Sequence, residues 1–172
     1  MRVVWSKKTD IKSKEAEKME VQELIPYFGR ELFVPQLKAK SKDAALLEFA
    51  NLFVQSKIVR KKDLILELLQ KRETLGSTGI GSGVAIPHGR TTAALEVKIA
   101  FGKSHDGIDF EAIDKKPVHL FFVVLAPPHD ENNRYLPILG KLVEVLNESK
   151  NRKRLLKAES FEEFTQIFEG IE

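Results

Sequence analysis

Residues 118–126 read Val-His-Leu-Phe-Phe-Val-Val-Leu-Ala, a run with one polar side chain, closed by Pro127 and Pro128. It is too short to cross a membrane, which takes about 18 apolar residues or more. Side chains along a strand point alternately to opposite faces. A strand this uniformly apolar therefore reads as one covered on both faces.

The rest of the chain supplies the cover. Ser41 is placed to cap a helix in which Leu46, Phe49, Ala50, Phe53 and Val54 recur at helical spacing. A second helix reads over 61–72, with Leu64, Ile65, Leu68 and Leu69 inward. A third reads over 135–147, with Leu136, Leu139, Leu142, Val143 and Leu146 inward. Ser160 and Glu163 form a capping box for a last helix carrying Phe161, Phe164, Ile167 and Phe168. Between these lie shorter strand signals: 31–35, an edge strand stopped by Pro35, then 84–86, and 97–101. Helices alternate with strands, so the fold class is α/β, in three layers around a central sheet.

At 172 residues the chain has the size of one domain. Residues 1–20 read as a polar N-terminal extension with Trp5 its one large aromatic, and 21–172 as a single domain. The extension lacks the apolar stretch of a signal peptide. The absence of cysteine excludes a disulfide scaffold, a thiolate metal site and a cysteine nucleophile, and favours a cytoplasmic location. No basic stripe interleaved with aromatics marks a nucleic-acid surface. The basic run at 150–154 beside an acidic stretch has two readings: a docking surface for an acidic partner, or a solvated helix start.

Chemistry concentrates in residues 72–90, RETLGSTGIGSGVAIPHGR, where five of the ten glycines stand at 76, 79, 81, 83 and 89. Gly76 and Gly81 have phosphate-loop spacing, but Ser82 occupies the lysine position that reaches the phosphates. A dinucleotide fingerprint starting at Gly79 would need glycine or alanine at Val84. No nucleophile elbow surrounds Ser77 or Ser82. What remains is His88, set after a strand and a proline. Imidazole that is neutral near pH 7 can attack phosphorus directly. The phosphoryl group so formed needs donors and positive charge around it. Glycine backbone including Gly89, the hydroxyls of Ser77, Thr78 and Ser82, and the guanidinium forks of Arg72 and Arg90 are the residue types that supply them. His105 reads as a turn residue, His119 as a hydrogen-bonded sheet histidine and His129 as a surface-loop residue. The four histidines lack metal-ligand spacing.

The 72–90 string, with its Pro87-His88 pair, resembles the active-site signature of enzyme IIA of the phosphoenolpyruvate-dependent phosphotransferase system. The branch is that shared by the mannitol, fructose and nitrogen-regulatory types. Residues 108–114 with Pro117-Val118, residues 136–142, and residues 154–158 with Glu162-Glu163-Phe164 extend the resemblance, closest to the nitrogen-regulatory members, over about 22–170. It implies a mixed central sheet with helices on both faces, no organic cofactor and no required metal. It further implies a phosphotransferase role. His88 would accept a phosphoryl group from a histidine-containing phosphocarrier protein, and Arg72 would steady it. Ser77, Thr78 and Gly89 would bind the phosphate. The implied partners beyond the carrier are regulatory target proteins or a sugar-transporter subunit, with no nucleic acid and no direct membrane insertion. One position departs: Tyr135 stands where many members carry a second active-site histidine. Tyr135 is expected to line the His88 pocket, at a helix N-terminus that favours an anion.

Overall fold

The computed structural model describes residues 18–172. The expected extension, with Trp5, lies outside these residues except for its last three. There Met19 is 2% exposed and packs into the core. A 3-10 helix, Val21–Tyr27, that the sequence pattern did not announce follows directly, and Glu23 closes its start by accepting the Glu20 N–H at 2.6 Å. The chain then forms β1 (Phe28–Val34), α1 (Lys42–Gln55), α2 (Lys62–Thr74), β2 (Gly79–Gly81), β3 (Val84–Ala85), β4 (His88–Arg90), β5 (Lys98–Ile108) and β6 (Val118–Ala126). Three helices finish it: α3 (Tyr135–Asn147), α4 (Ser149–Lys157) and α5 (Phe161–Glu169).

The sheet runs β1-β5-β6-β3-β2, and β4 also pairs with β6. It is mixed: β6 lies antiparallel to β5 and parallel to β3 and β4, and β1 lies parallel to β5. Along β6, Leu120, Phe122, Val124 and Ala126 enter a core shared with α3, α4 and α5. Val118, Phe121, Val123 and Leu125 enter the opposite core, shared with α1 and α2. The strand is thus covered on both faces, and the fold is a three-layer α/β sandwich. β1 is an edge strand, three residues longer at its start than the sequence signal.

Strand β5 extends well beyond 97–101. Gly102 and Lys103 continue the pairing, opposite Phe121 and Leu120. Lys103 and Ser104 are both buried although polar. The Lys103 ammonium donates to the carbonyls of Leu156 (2.9 Å) and Ala158 (2.6 Å) and meets the Glu159 carboxylate at 3.1 Å. These are carbonyls at the end of α4, where a helix leaves acceptors unpaired and favours a cation.

Two helices present faces other than those expected. In α3 the inward residues are Tyr135, Ile138, Leu142, Val145 and Leu146, while Leu136 is 66% and Val143 36% exposed. In α2, Ile65 and Leu69 are buried and Leu64 is 51% exposed. Helices apolar on more than one side do not announce which side packs. The basic run at 150–154 lies in the first half of α4, whose Asn151 and Leu155 point inward. There Asn151 and Arg152 donate to the last carbonyls of α3, Val145, Leu146 and Asn147. At α5 the Ser160 hydroxyl accepts the Glu163 N–H at 3.1 Å, and the Glu163 carboxylate accepts from Glu159, one residue before the reciprocal position of a capping box.

The two ends of the described chain pack together. Phe28 meets Phe164 and Phe168 with ring centroids 4.9 and 5.0 Å apart. The Gln22 amide donates to the carbonyls of Phe168 and Ile171.

Gly102 sits where α1 presses on the sheet. A Cβ there would lie 2.6 Å from Phe49 Cζ and 2.9 Å from Leu37 Cδ2. Gly102→Ala is expected to cost about 1–3 kcal/mol, read as a lower urea midpoint. An unchanged midpoint would mean that Phe49 and Leu37 have room to move.

Candidate functional site

β3 pairs with β6 at Leu120 and Phe121; the chain passes Ile86 and Pro87, then pairs again as β4, placing His88 opposite Val124 and Arg90 opposite Ala126. The Val124 N–H donates to the Pro87 carbonyl at 2.9 Å and so holds the crossing. Alternation sends His88 and Arg90 to one face of the strand and Gly89 to the other. On the Gly89 side α2 comes very close: a Cβ on Gly89 would lie 2.7 Å from Leu68 Cγ. Arg72 is one helical turn beyond Leu68. The missing side chain lets α2 lie against β4 and puts the Arg72 guanidinium beside His88.

His88 is half-buried. Its Nδ1 lies 2.7 Å from the Ile86 carbonyl, an acceptor only, so Nδ1 carries the proton and donates. The lone pair is then on Nε2, and Arg72 Nε donates to it at 3.4 Å. Arg72 Nη1 is anchored on the Gly76 carbonyl at 2.9 Å. Burial pushes the His88 pKa below the ordinary imidazole value. The Arg72 charge adds to this, while the Ile86 carbonyl and Glu73 pull the other way. The arrangement is a neutral imidazole with a defined tautomer, its Nε2 unprotonated and accepting from the Arg72 guanidinium.

The segment between α2 and β2 is held from below. Glu73 is nearly buried and accepts from both the N–H and the hydroxyl of Thr78, and it pairs with Lys42 at 2.9 Å. Lys42 also lies 4.8 Å from the centre of the Phe110 ring. The Ser77 hydroxyl donates to the Phe110 carbonyl at 2.9 Å and accepts the Gly79 N–H at 3.0 Å. Ser77 and Thr78, expected as phosphate ligands, thus give their hydroxyl protons to the protein itself. Gly89, expected in the same role, makes room for Leu68. Ser82 lies in the β2–β3 turn at φ +57°, with its N–H on Asp114 at 2.9 Å.

Tyr135 opens α3, and its ring centre is 6.2 Å from that of His88, tilted by 58°. Burial pushes its pKa up to about 12, so the phenol stays neutral. The Arg90 guanidinium carbon stands 4.5 Å from the centre of the Tyr135 ring. The helix N-terminus expected to be open to an anion already holds one. The Asp130 carboxylate accepts the backbone N–H groups of Arg134 and Tyr135. A concavity of about 650 Å³ opens between Arg90, Tyr135 and the 128–134 loop, with His129 on its wall and His88 not among its lining residues. The His119 Nδ1–H donates to the Ser104 carbonyl at 2.9 Å, and His105 is exposed. Glu73 and Asp130 were not singled out from sequence. Leu68 was expected on the inward side of its helix, four residues before Arg72, but not as the neighbour of Gly89.

Residues 26–170 match the profile of a family described as phosphoenolpyruvate-dependent sugar phosphotransferase system, EIIA 2. The chain is 36% identical over 124 residues to the fructose-specific EIIABC component of Bacillus subtilis. The match covers 72% of this chain and 19% of that longer protein, so the chain spans about a fifth of that relative's length. It is 34% identical over 142 residues to the fructose-specific EIIA component of Haloferax volcanii, covering 83% of this chain and 92% of that one. The crystal structure of nitrogen regulatory protein IIA-Ntr from Neisseria meningitidis matches with a TM-score of 0.79 at 31% identity, over 85% of this chain and 99% of that one.

The His88 geometry fixes a sign for pH. With its pKa lowered on folding, His88 takes up a proton less readily in the folded state than in the unfolded chain. Its share of stability is complete above the ordinary value near 6.5 and is lost as pH falls through the window below it. A ring-proton titration should place His88 below 6.5, and His88→Gln should flatten the stability slope in that window. A midpoint at or above 6.5 would show that neither burial nor Arg72 governs the ring.

Proposed function

The chain belongs to the EIIA 2 family of the phosphoenolpyruvate-dependent sugar phosphotransferase system, and on that premise we propose that it carries a phosphoryl group on Nε2 of His88. The single observation that carries this reading is the tautomer. The Ile86 carbonyl keeps the proton on Nδ1 and leaves Nε2 as the nucleophile. The donor is the phosphohistidine of a small carrier protein. The Nε2 lone pair attacks phosphorus in line, the Nε2–P bond forms as the donor's N–P bond breaks, and the donor imidazole keeps that electron pair. The His88 ring gains positive charge, which the Nδ1–H bond to Ile86 disperses. Arg72 Nε, which faces Nε2 before transfer, turns to a phosphoryl oxygen after it. Glu73, through Thr78, holds the segment whose Gly76 carbonyl anchors Arg72.

The protein acts as a regulatory carrier of the nitrogen-regulatory type in the cytoplasm. Supporting this are the fold match to a IIA-Ntr protein and the resemblance at 108–118. No helix among the described residues is long and apolar enough to cross a membrane. Tyr135 replaces an ionisable ring by a neutral one, which suits a protein that reports its phosphorylation state to partners more than one that relays flux.

Incubation with phosphoenolpyruvate and the two general carrier proteins should load one acid-labile phosphoryl group. His88→Ala should abolish loading with an unchanged circular dichroism spectrum. A charge-assisted hydrogen bond is worth ~1.5–3 kcal/mol, so Arg72→Ala should slow loading by more than about tenfold. Arg72→Lys, lacking the planar fork, should recover part of that. Full loading of the His88→Ala protein would remove His88 from the role. Rapid onward transfer to a fructose-type IIB subunit would mark the chain as a sugar-pathway member instead.

A further inference from the structure

A phosphoryl group on His88 brings about −1.5 to −2 charges at neutral pH, and Arg72 meets it from one side. On the Tyr135 side the obvious anion-binding device is already spent: the first N–H groups of α3 are on the Asp130 carboxylate. Arg134 is spent as well, at 2.8 Å from Glu23 and 3.2 Å from the Tyr27 hydroxyl. Arg90 differs. It lies two residues along β4 from His88, on the same face of the strand. Its guanidinium is seated on the Tyr135 ring, 4.5 Å from the ring centre, and that ring is the neighbour of His88. Arg90 is exposed, and its one hydrogen bond among the described residues is a long one, Nη1 to the Pro128 carbonyl at 3.3 Å. A guanidinium stacked on an aromatic face keeps its in-plane N–H donors available at its edge.

Resting on the reading of His88 as the phosphoryl acceptor, we propose that Arg90 is the second phosphoryl-binding cation of the site. Stacked on Tyr135, it gives up the Pro128 carbonyl and turns its free donors to the phosphoryl oxygens once Nε2 is loaded. Tyr135 is then the seat of that cation and not a proton carrier. The burial-raised Tyr135 hydroxyl is drawn back down first by Arg90 and then by Arg72, which agrees with both cations bordering one space. The charged groups acting on the His88 ring before loading are Arg72 and Glu73 from α2, and those acting on Tyr135 beside it are Arg90 from β4 and Arg72.

The test loads the chain with phosphoramidate, which phosphorylates imidazole without a partner protein, and follows the phosphoryl group by phosphorus NMR across pH. A nearby cation favours the dianion and lowers the second phosphoryl pKa. In Arg90→Gln that pKa should rise by about half a unit or more. Arg90→Lys should restore most of the lowering, and Tyr135→Leu, which removes the seat and keeps the charge, should give an intermediate value. Identical titrations of wild type and Arg90→Gln overturn the proposal. Loading by phosphoramidate but not by the carrier cascade would defeat the carrier reading while the titration still reports on Arg90. Failure of His88 to load by either route overturns both.

Discussion

Strand β6 has no polar face, and the architecture follows from that. Its even-numbered side chains from Leu120 to Ala126 and its odd-numbered ones from Phe121 to Leu125 enter two separate cores. Each core needs helices to close it, so neither layer can be dispensed with. The same strand is the template on which β3 and then β4 pair, with Pro87 between them. The position of His88 is therefore a by-product of the best-buried strand in the molecule. A reactive side chain on so short a strand is held to the rigidity of its partner.

The site adds a second level of control, in which groups that never touch a phosphoryl oxygen decide what the reacting ones can do. Ile86 chooses the tautomer of His88, and Gly89 decides how near α2 comes. Glu73 converts a glycine-rich segment into a fixed one by taking two bonds from Thr78 and one from Lys42. Groups of this kind set the geometry within which charge develops.

Much of this was legible in the residues. The 118–126 run dictated a doubly covered strand, and α1 lies where its spacing put it. The 72–90 string pointed to Arg72 and His88 together, and the two side chains meet at 3.4 Å. What stayed hidden has physical reasons. The burial of Lys103 left no local sign, because the carbonyls that receive its ammonium lie more than 50 residues away. The packed face of α3 was obscured by leucines on several sides. Glycine patterns do not tell whether a neighbouring leucine also needs the bare backbone, as Leu68 does at Gly89. Asp130 at the start of α3 followed from no local rule, because it caps from outside the usual position.

The seam between Gln22, Phe28 and α5 has a consequence for how the chain folds. The Gln22 amide reaches a carbonyl 146 positions later, and Phe28, Phe101 and Phe122 share one aromatic cluster with Phe164 and Phe168. Contacts between residues so distant in sequence are slow to form, since a long loop must close before they repay its entropy. During synthesis the sheet can assemble as its strands emerge, but one of its two cores stays open on its aromatic side until α5 has left the ribosome. Completion of the last helix thus converts a sticky half-sandwich into a closed one.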